Sequence, residues 1–517
     1  MIDKSLSFGT QNFLFLILDE SHIDYNYVAY MTRQGTILLA RYIKAYTEVL
    51  YWVGVGEFSE VWADRGNLIY QDLTDIDRSP FEFQITVADG QSFTLPLTDV
   101  SPGHNFTVSW GDESYGAVTA FDSPNRIHTY TNAGDYTVRI LGVCSGFQFT
   151  GDWTGDYPPY GVGDTSLIKK VISWGDVHFK LIDFNGCINL TELPEESGKL
   201  TEVQSFAYIC KGCSSLTDIP HNIFKGNTIA TSFSHVFFGT AISEIPNGLF
   251  DDAIECLTFE RCFEYCPSLA SIPEDLFAHS LKVTNMDGIF GGGNIIQRIP
   301  AGLFRNNSEI TNMGHSFIAS SITEIPEDLF KYNNKIVDMT VAFTATPISV
   351  IPKNIFKYMP EVETFEGTFA FCGNVTEIPA DLFKYNTKVK NFGGVFAYCS
   401  NLQKIPDYLF QENIQVTTDY PPAILGGAFD SIFVECPKLK LNENIFYAEN
   451  QKSSIFLNRN LSFYGAFFCS SFTGEQGEAP DLWNCDFGTG TIVKTLCFGG
   501  HNIDSLSNYN EIPVEWK

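Results

Sequence analysis

Between Phe81 and Phe149 apolar and polar positions alternate with period two, in FEFQITV, QSFTLPL, FTVSWGD and IHTYTNAGDYTVRIL. Successive side chains of an extended strand point to opposite faces, so residues 81–150 are expected to form a small β-sandwich of half-buried strands. From Leu193 the period changes. An apolar residue followed by proline recurs at Leu193, Ile219, Ile245, Ile272, Ile299, Ile325, Ile351, Ile378 and Ile405, at intervals of 26 or 27 residues. Weaker copies stand at Leu441, Ala479 and Ile512, after gaps of 36, 38 and 33 that imply inserted loops, one of them around TTDYPPAIL.

Each unit reads approximately V-x-x-F/M-x-x-x-F-x-x-C-x-x-L-x-x-I-P-x-x-L-F-x-x-N. Phenylalanine recurs four residues after the proline, at Phe224, Phe250, Phe277, Phe304, Phe330, Phe356, Phe383 and Phe410, and again before the cysteine position at Phe263, Phe290, Phe369 and Phe396. A unit this short cannot bury its own apolar face, so it is stable only when stacked on its neighbours, like residue on like residue. Residues 185–517 are therefore expected to form a solenoid, irregular from about residue 411. Runs such as LTDIP and VTNM look strand-like, the proline ends a strand, and the Asn-containing stretch after Leu-Phe turns the chain. At about 4.8 Å per stacked strand, eleven intervals make an array roughly 50 Å long.

Residues 1–80 match neither pattern. FLFLIL (Phe13–Leu18), an amphipathic helix expected over Thr36–Leu50, and the aromatic-rich YWVGVGEFSEVWADRGNLIY suggest a small mixed domain, or a segment that folds on docking. Residues 151–184, with a Trp-Gly-Asp at Trp174–Asp176, are expected to join the sandwich to the first repeat and to cover its open end, since an array needs a cap.

Composition sharpens this picture. The repeat accounts for most of the 45 phenylalanines of the 517 residues, and 44% hydrophobic residues with 15% aromatics exclude general disorder. A formal net charge of −29 repels nucleic acids and anionic lipid. No run approaches the ~18 apolar residues of a membrane span, so neither nucleic-acid binding nor membrane insertion is expected. FLFLIL follows only Lys4 as a basic residue and lacks a small-residue cleavage site, so it does not read as a secretory signal. Thirteen cysteines do not suggest a disulfide framework. Cys187, Cys213, Cys266, Cys372 and Cys399 all lie six residues before the ladder residue, where a small side chain packs inside a turn.

The units VTNMDGIFGGG, ITNMGHSFIAS and VFAYCSNLQKIP resemble the 26-residue repeat of bacterial surface proteins and the related BspA-like leucine-rich repeats, from about Leu181 to Lys517. The resemblance implies a solenoid whose strand face contacts host proteins or glycans, with the three irregular C-terminal units serving as a cap or a binding tip. Residues Phe106–Asp112, His128–Tyr130 and Gly134–Ile140 are similar to a PKD-like, immunoglobulin-type domain. Glu113 departs from it, standing where that family has glycine. The fold expected overall is mainly β.

No metalloprotease, phosphate-loop or nucleophile-elbow motif is present. Cys210 and Cys213 have metal-type spacing but no second pair. His128 with Asp112 is expected to bond loop backbone, Gly291–Gly293 to relieve a tight turn, and the pairs Glu274/Asp275 and Glu327/Asp328 to face solvent. The chain is thus expected not to be an enzyme, with no catalytic, cofactor or metal residues and with ligand-binding residues unassigned. The function expected is that of a bacteriophage virion fibre, attached to other virion proteins through residues 1–80 and binding a bacterial surface protein or glycan through the repeats. Its localisation would be the virion, assembled in the host cytoplasm, as a homo-oligomer although no heptad specifies one. The alternatives are a cell-surface adhesin of the BspA-like type and, behind it, a tail-associated depolymerase.

Overall fold

The computed structural model describes residues 79–150, 164–421, 424–473, 475–500 and 503–517, together with the backbone of six strands between residues 2 and 72. These strands, β1 (Ile2–Phe8), β2 (Gln11–Ile17), β3 (Tyr25–Met31), β4 (Ile37–Ile43), β5 (Tyr51–Gly54) and β6 (Ile69–Asp72), follow one another across a single sheet. Pairing is antiparallel except between β5 and β6. The helix expected over Thr36–Leu50 is corrected: β4 occupies its first half and pairs along its whole length with β3, while residues 44–50 lie outside the described residues. ILLARYI is apolar at successive positions, a pattern that a short strand shares with a buried helix until a partner strand decides between them.

The alternating stretch folds as expected into antiparallel strands. These are β7 (Phe81–Val87), β8 (Ser92–Thr94), β9 (His104–Ser109), β10 (Tyr115–Val118), β11 (Ile127–Thr129) and β12 (Gly134–Cys144). In β7 burial alternates strictly, with Phe81, Phe83, Ile85 and Val87 inward. The main sheet has the order β10-β9-β12-β7 and is completed by β14 (Ile168–Ser173) on the far side of β7. The pair β8–β11 forms a second small sheet, with Phe93 of β8 packed 5.9 Å from the ring of Phe83.

β14 also begins the solenoid. One edge pairs with β7, while on the other Lys170 bridges Glu192 of the first coil in parallel and Val171 N–H donates to Glu192 O at 3.0 Å. The short strands β13 (Gly146–Gln148) and β15 (Leu181–Asp183) make a second crossing. Trp174 is buried between Phe81 and Phe184. The Asp176 carboxylate accepts bonds from Ser79 N–H and hydroxyl, at 2.9 and 3.1 Å, and from Lys199 Nζ at 2.6 Å. Asp183 is buried at the same seam, its Oδ1 accepting the N–H groups of Phe149, Thr150 and Asn185, and burial raises its pKa to about 6. One continuous hydrophobic core therefore runs from Phe81 to Trp516.

Within the solenoid the strand-like runs prove shorter than expected. Each coil contributes single parallel bridges, such as the series Ser205, Ser232, Thr258, Asn285, Asn312, Asp338, Thr364, Asn391. Beyond each bridge, every second N–H still donates along the array to the next coil, as in Phe233→Thr258, His235→Glu260, Phe237→Cys262 and Gly239→Glu264, at 2.8–3.0 Å. Two residues per coil, four apart, have positive φ, which breaks regular strand geometry while keeping the donors aimed along the axis.

Three phenylalanine columns fill the interior. The column after the proline stacks Phe250 on Phe277 and Phe277 on Phe304, each at 6.2 Å, and Phe304 on Phe330 at 6.0 Å. The column before the cysteine position stacks Phe237, Phe263, Phe290, Phe317, Phe343, Phe369, Phe396, Phe433, Phe467 and Phe498, neighbours 5.2–6.0 Å apart. In the third, Phe233 and Phe259 give way to Met286, Met313 and Met339 before Phe365 and Phe392 resume. The irregular C-terminal units continue the same stack, and Trp516 closes it against Phe463 and Phe487.

The stretch after Leu-Phe turns the chain as expected, and its asparagine is buried. Asn333 Nδ2 donates to Phe304 O and Asn307 O, at 3.0 and 2.8 Å, and Asn307, Asn386 and Asn413 repeat the arrangement. These amides satisfy carbonyls that the coil would otherwise bury unpaired. The cysteine position follows similar logic. The Cys213, Cys266, Cys372 and Cys399 thiols each donate to a carbonyl of the preceding coil at 3.1–3.2 Å, and Thr240, Ser320 and Thr346 hold the same position as hydroxyl donors. The four cysteines are buried free thiols, and burial pushes Cys266 and Cys372 up to about 11.

Candidate functional site

With the interior committed to columns of like residues, variation is left to the outside of the coil between the bridge and the cysteine position. The bridge residue itself is constrained. The side-chain oxygens of Ser232, Thr258, Asn285, Asn312, Asp338, Thr364 and Asn391 each accept the N–H two residues on, at 2.7–3.3 Å. A short polar side chain can close such a turn. This periodic Ser/Thr/Asn/Asp, one residue before the F/M of the repeat, is visible in the sequence but obscured by its changing identity.

Three residues after the bridge comes the first positive-φ column, with Tyr208, His235, Arg261, Gly288, His315, Val341, Gly367, Gly394 and Ser431 in successive coils. An ionic cluster covers its middle. Arg261 binds Glu264 at 2.9 Å and Asp287 at 3.4 Å, and His315 Nδ1 lies 2.8 Å from Asp287. Burial raises the pKa values of Glu260 and Glu264. In the coil before, burial and the charges of Lys211 and Arg261 lower His235 to about 3.

Further along, Ile424 and Leu425, at the end of the inserted stretch, lie over this face. The N–H groups of Ile424 and Leu425 donate to Glu366 Oε1, and Leu425 sits over Gly367 and Gly394. A Cβ on Gly367 would stand 2.7 Å from Leu425 Cδ1, so the glycine makes room for this strap.

The second positive-φ column, four residues on, runs Gly212, Gly239, Tyr265, Gly292, Ala319, Ala345, Phe371, Tyr398 and Glu435. Each of these N–H groups donates to the next coil, as in Tyr265→Gly291, Ala345→Ala370 and Phe371→Ala397. Gly291–Gly293, expected to relieve a tight turn, supplies one member of this column.

The remaining sequence candidates fall as follows. Asp112 and His128 meet each other, with His128 Nε2 2.7 Å from the carboxylate, which also accepts Ser114 N–H and hydroxyl. Burial alone would raise the Asp112 pKa, but the bonds from Ser114 and His128 hold it below its ordinary value. His128 is stacked on Trp110 at 5.1 Å, so the pair closes a turn in which Glu113 takes a φ of 70°, the conformation suited to glycine. Cys210 and Cys213 are both buried in the core. Asp275 pairs with Arg305 at 2.8 Å and Asp328 with Lys331 at 3.1 Å on the exposed surface, where Glu274 and Glu327 also lie. Among the described residues no His/Cys/Asp/Glu group is arranged to hold a metal ion, and no helix is long and apolar enough to cross a membrane.

No family model matches the chain, and no curated protein matches it. Among solved structures it is similar to one described as a TLR13–ssRNA13 complex, at 13% identity over 52% of this chain, with a TM-score of 0.26. The match spans about half of that protein, 48% of its chain. The repeat geometry itself identifies the C-terminal region as a leucine-rich-repeat-like solenoid joined to an antiparallel sheet domain.

Proposed function

We propose that this chain is a non-enzymatic adhesion protein of the fibre type, a bacteriophage virion component whose repeat array binds a protein or glycan on the bacterial surface. Residues 1–80 would attach it to the particle. The observation that carries this reading is the division of labour in each coil: interior columns hold like residues, while the second positive-φ column, which reaches the surface, changes from coil to coil on the same backbone. Such a scaffold displays regularly spaced groups without moving parts, and many weak contacts add when several copies stand together. The PKD-like reading of the sandwich, supported by the Trp110–His128–Tyr130 arrangement, fits a spacer stiffly joined to the array.

The test is binding of the purified full-length chain to whole cells of candidate bacterial hosts, with antibody against the array added during phage adsorption. Saturable cell binding and blocked adsorption are expected. Cell binding without any effect on adsorption by phage carrying this chain would favour a bacterial adhesin, and turnover of a surface polysaccharide would favour a depolymerase.

A further inference from the structure

We propose that the second positive-φ column holds an uncharged glycan in a trough between Tyr265 and the Phe371–Tyr398 pair. This deepens the adhesion reading and rests on it. The inter-coil hydrogen bonds impose positive φ at every position of this column, and glycine meets that demand without strain. Bulky residues there are conformational outliers. Yet Tyr265, Phe371 and Tyr398 have φ values of 57°, 59° and 60°. Their side chains are not buried in compensation: the three residues are 54%, 48% and 43% exposed. Phe371 and Tyr398 stack on one another at 4.4 Å, only 3° from parallel, and present ring surface to solvent. Strained, exposed aromatic residues that the fold does not require point to a ligand.

The stretch between them has the complementary character. Gly292 makes room for the Tyr265 ring, and Ala319 and Ala345 make a floor of minimal side chains beyond it; Tyr265 and Phe371 stand four coil steps apart, roughly 19 Å at about 4.8 Å per coil. The flanking sequences FGGGNII, FIASSI and FTATPI contain no charged residue, in a chain with a net charge of −29. The charges of the adjoining column, Arg261, Glu264, Asp287 and His315, are paired with one another, and the uncharged floor matches an uncharged ligand, because a charged one would lose its hydration without gaining a partner. Aromatic walls offer flat faces to the C–H surfaces of sugar rings. The length suits a few linked sugars laid along the axis.

The test uses the full-length chain with Tyr265→Gly and with the double variant Phe371→Gly/Tyr398→Gly. Probes are immobilised neutral polysaccharides (a glucan, a mannan and a galactan), an acidic polysaccharide, and host cells before and after periodate oxidation. Wild type is expected to bind at least one neutral polysaccharide and untreated cells, and to lose the cells after periodate. Both variants should bind at least tenfold more weakly with melting temperatures unchanged or raised, since glycine relieves the backbone; a merely structural role would lower them. Cell binding that survives periodate and is lost after protease overturns the glycan while leaving adhesion standing. Undiminished binding by the variants, or preference for the acidic polysaccharide, also overturns the proposal. Failure to bind any host cell overturns both readings.

Discussion

Phe330 is buried and stacked on Phe304, 6° from parallel. Phe330→Ala leaves a cavity between two coils that hydrogen bonds hold at fixed spacing, so a loss of about 3–5 kcal/mol is expected. Chemical denaturation would show it, and an unchanged midpoint would mean that the columns are not packed. The titratable residues carry opposite signs. His235 titrates near 3 in the fold and near 6.5 when unfolded, so the unfolded chain takes up the proton first and stability falls as pH drops from about 6.5 toward 3. In His235→Asn, which keeps a side chain tolerant of positive φ, melting temperature should fall less over that window. Asp183 acts the other way. Its pKa is raised to about 6, so its contribution is fully present below the unfolded value near 4 and is lost as pH rises through 6. Asp183→Asn should remove that part of the dependence, and identical pH profiles for variant and wild type would refute the assignment.

At the scale of the element, the sequence revealed the coil more completely than it revealed the coil's conformation. The Ile-Pro spacing and the phenylalanine positions were legible because buried columns demand the same residue type at the same place. The helix expected at Thr36–Leu50 failed because the apolar run ILLARYI is compatible with either period, and only its pairing with β3 settles it. The positive-φ columns were illegible for a different reason. Hydrogen bonding to the next coil imposes that conformation, so tyrosine, arginine and histidine appear where glycine would have signalled it. The strap was foreseen as an insertion, but nothing local in TTDYPPAIL names Gly367 and Gly394 as its seat. Its attachment is testable: Leu425→Ala should speed hydrogen exchange at the Ile424 and Leu425 amides at least tenfold while leaving the melting temperature nearly unchanged, because the core beneath is complete without it. Equal exchange rates would mean that Glu366 alone holds the strap.

Across the whole molecule, β14 makes the antiparallel sheet domain and the array one body, since it hydrogen-bonds to β7 on one side and to the first coil on the other. Repeat arrays behave as chains of nearest-neighbour interactions, so a defect at one end is felt first by the adjoining coils. Trp174→Ala, at the seam, should cost about 3–5 kcal/mol and split a single calorimetric transition into two as the antiparallel sheet domain uncouples. One undivided transition at the wild-type temperature would show that the seam carries no coupling.

The second positive-φ column has a consequence for how such a protein can change over time. Because its backbone is dictated from above and below, glycine, alanine, glutamate, tyrosine and phenylalanine occupy it without altering the register of any coil. What the molecule displays is thereby separated from what keeps it folded. A lineage can redraw its exposed surface one coil at a time, adding or erasing an aromatic ring, while the scaffold beneath is inherited intact.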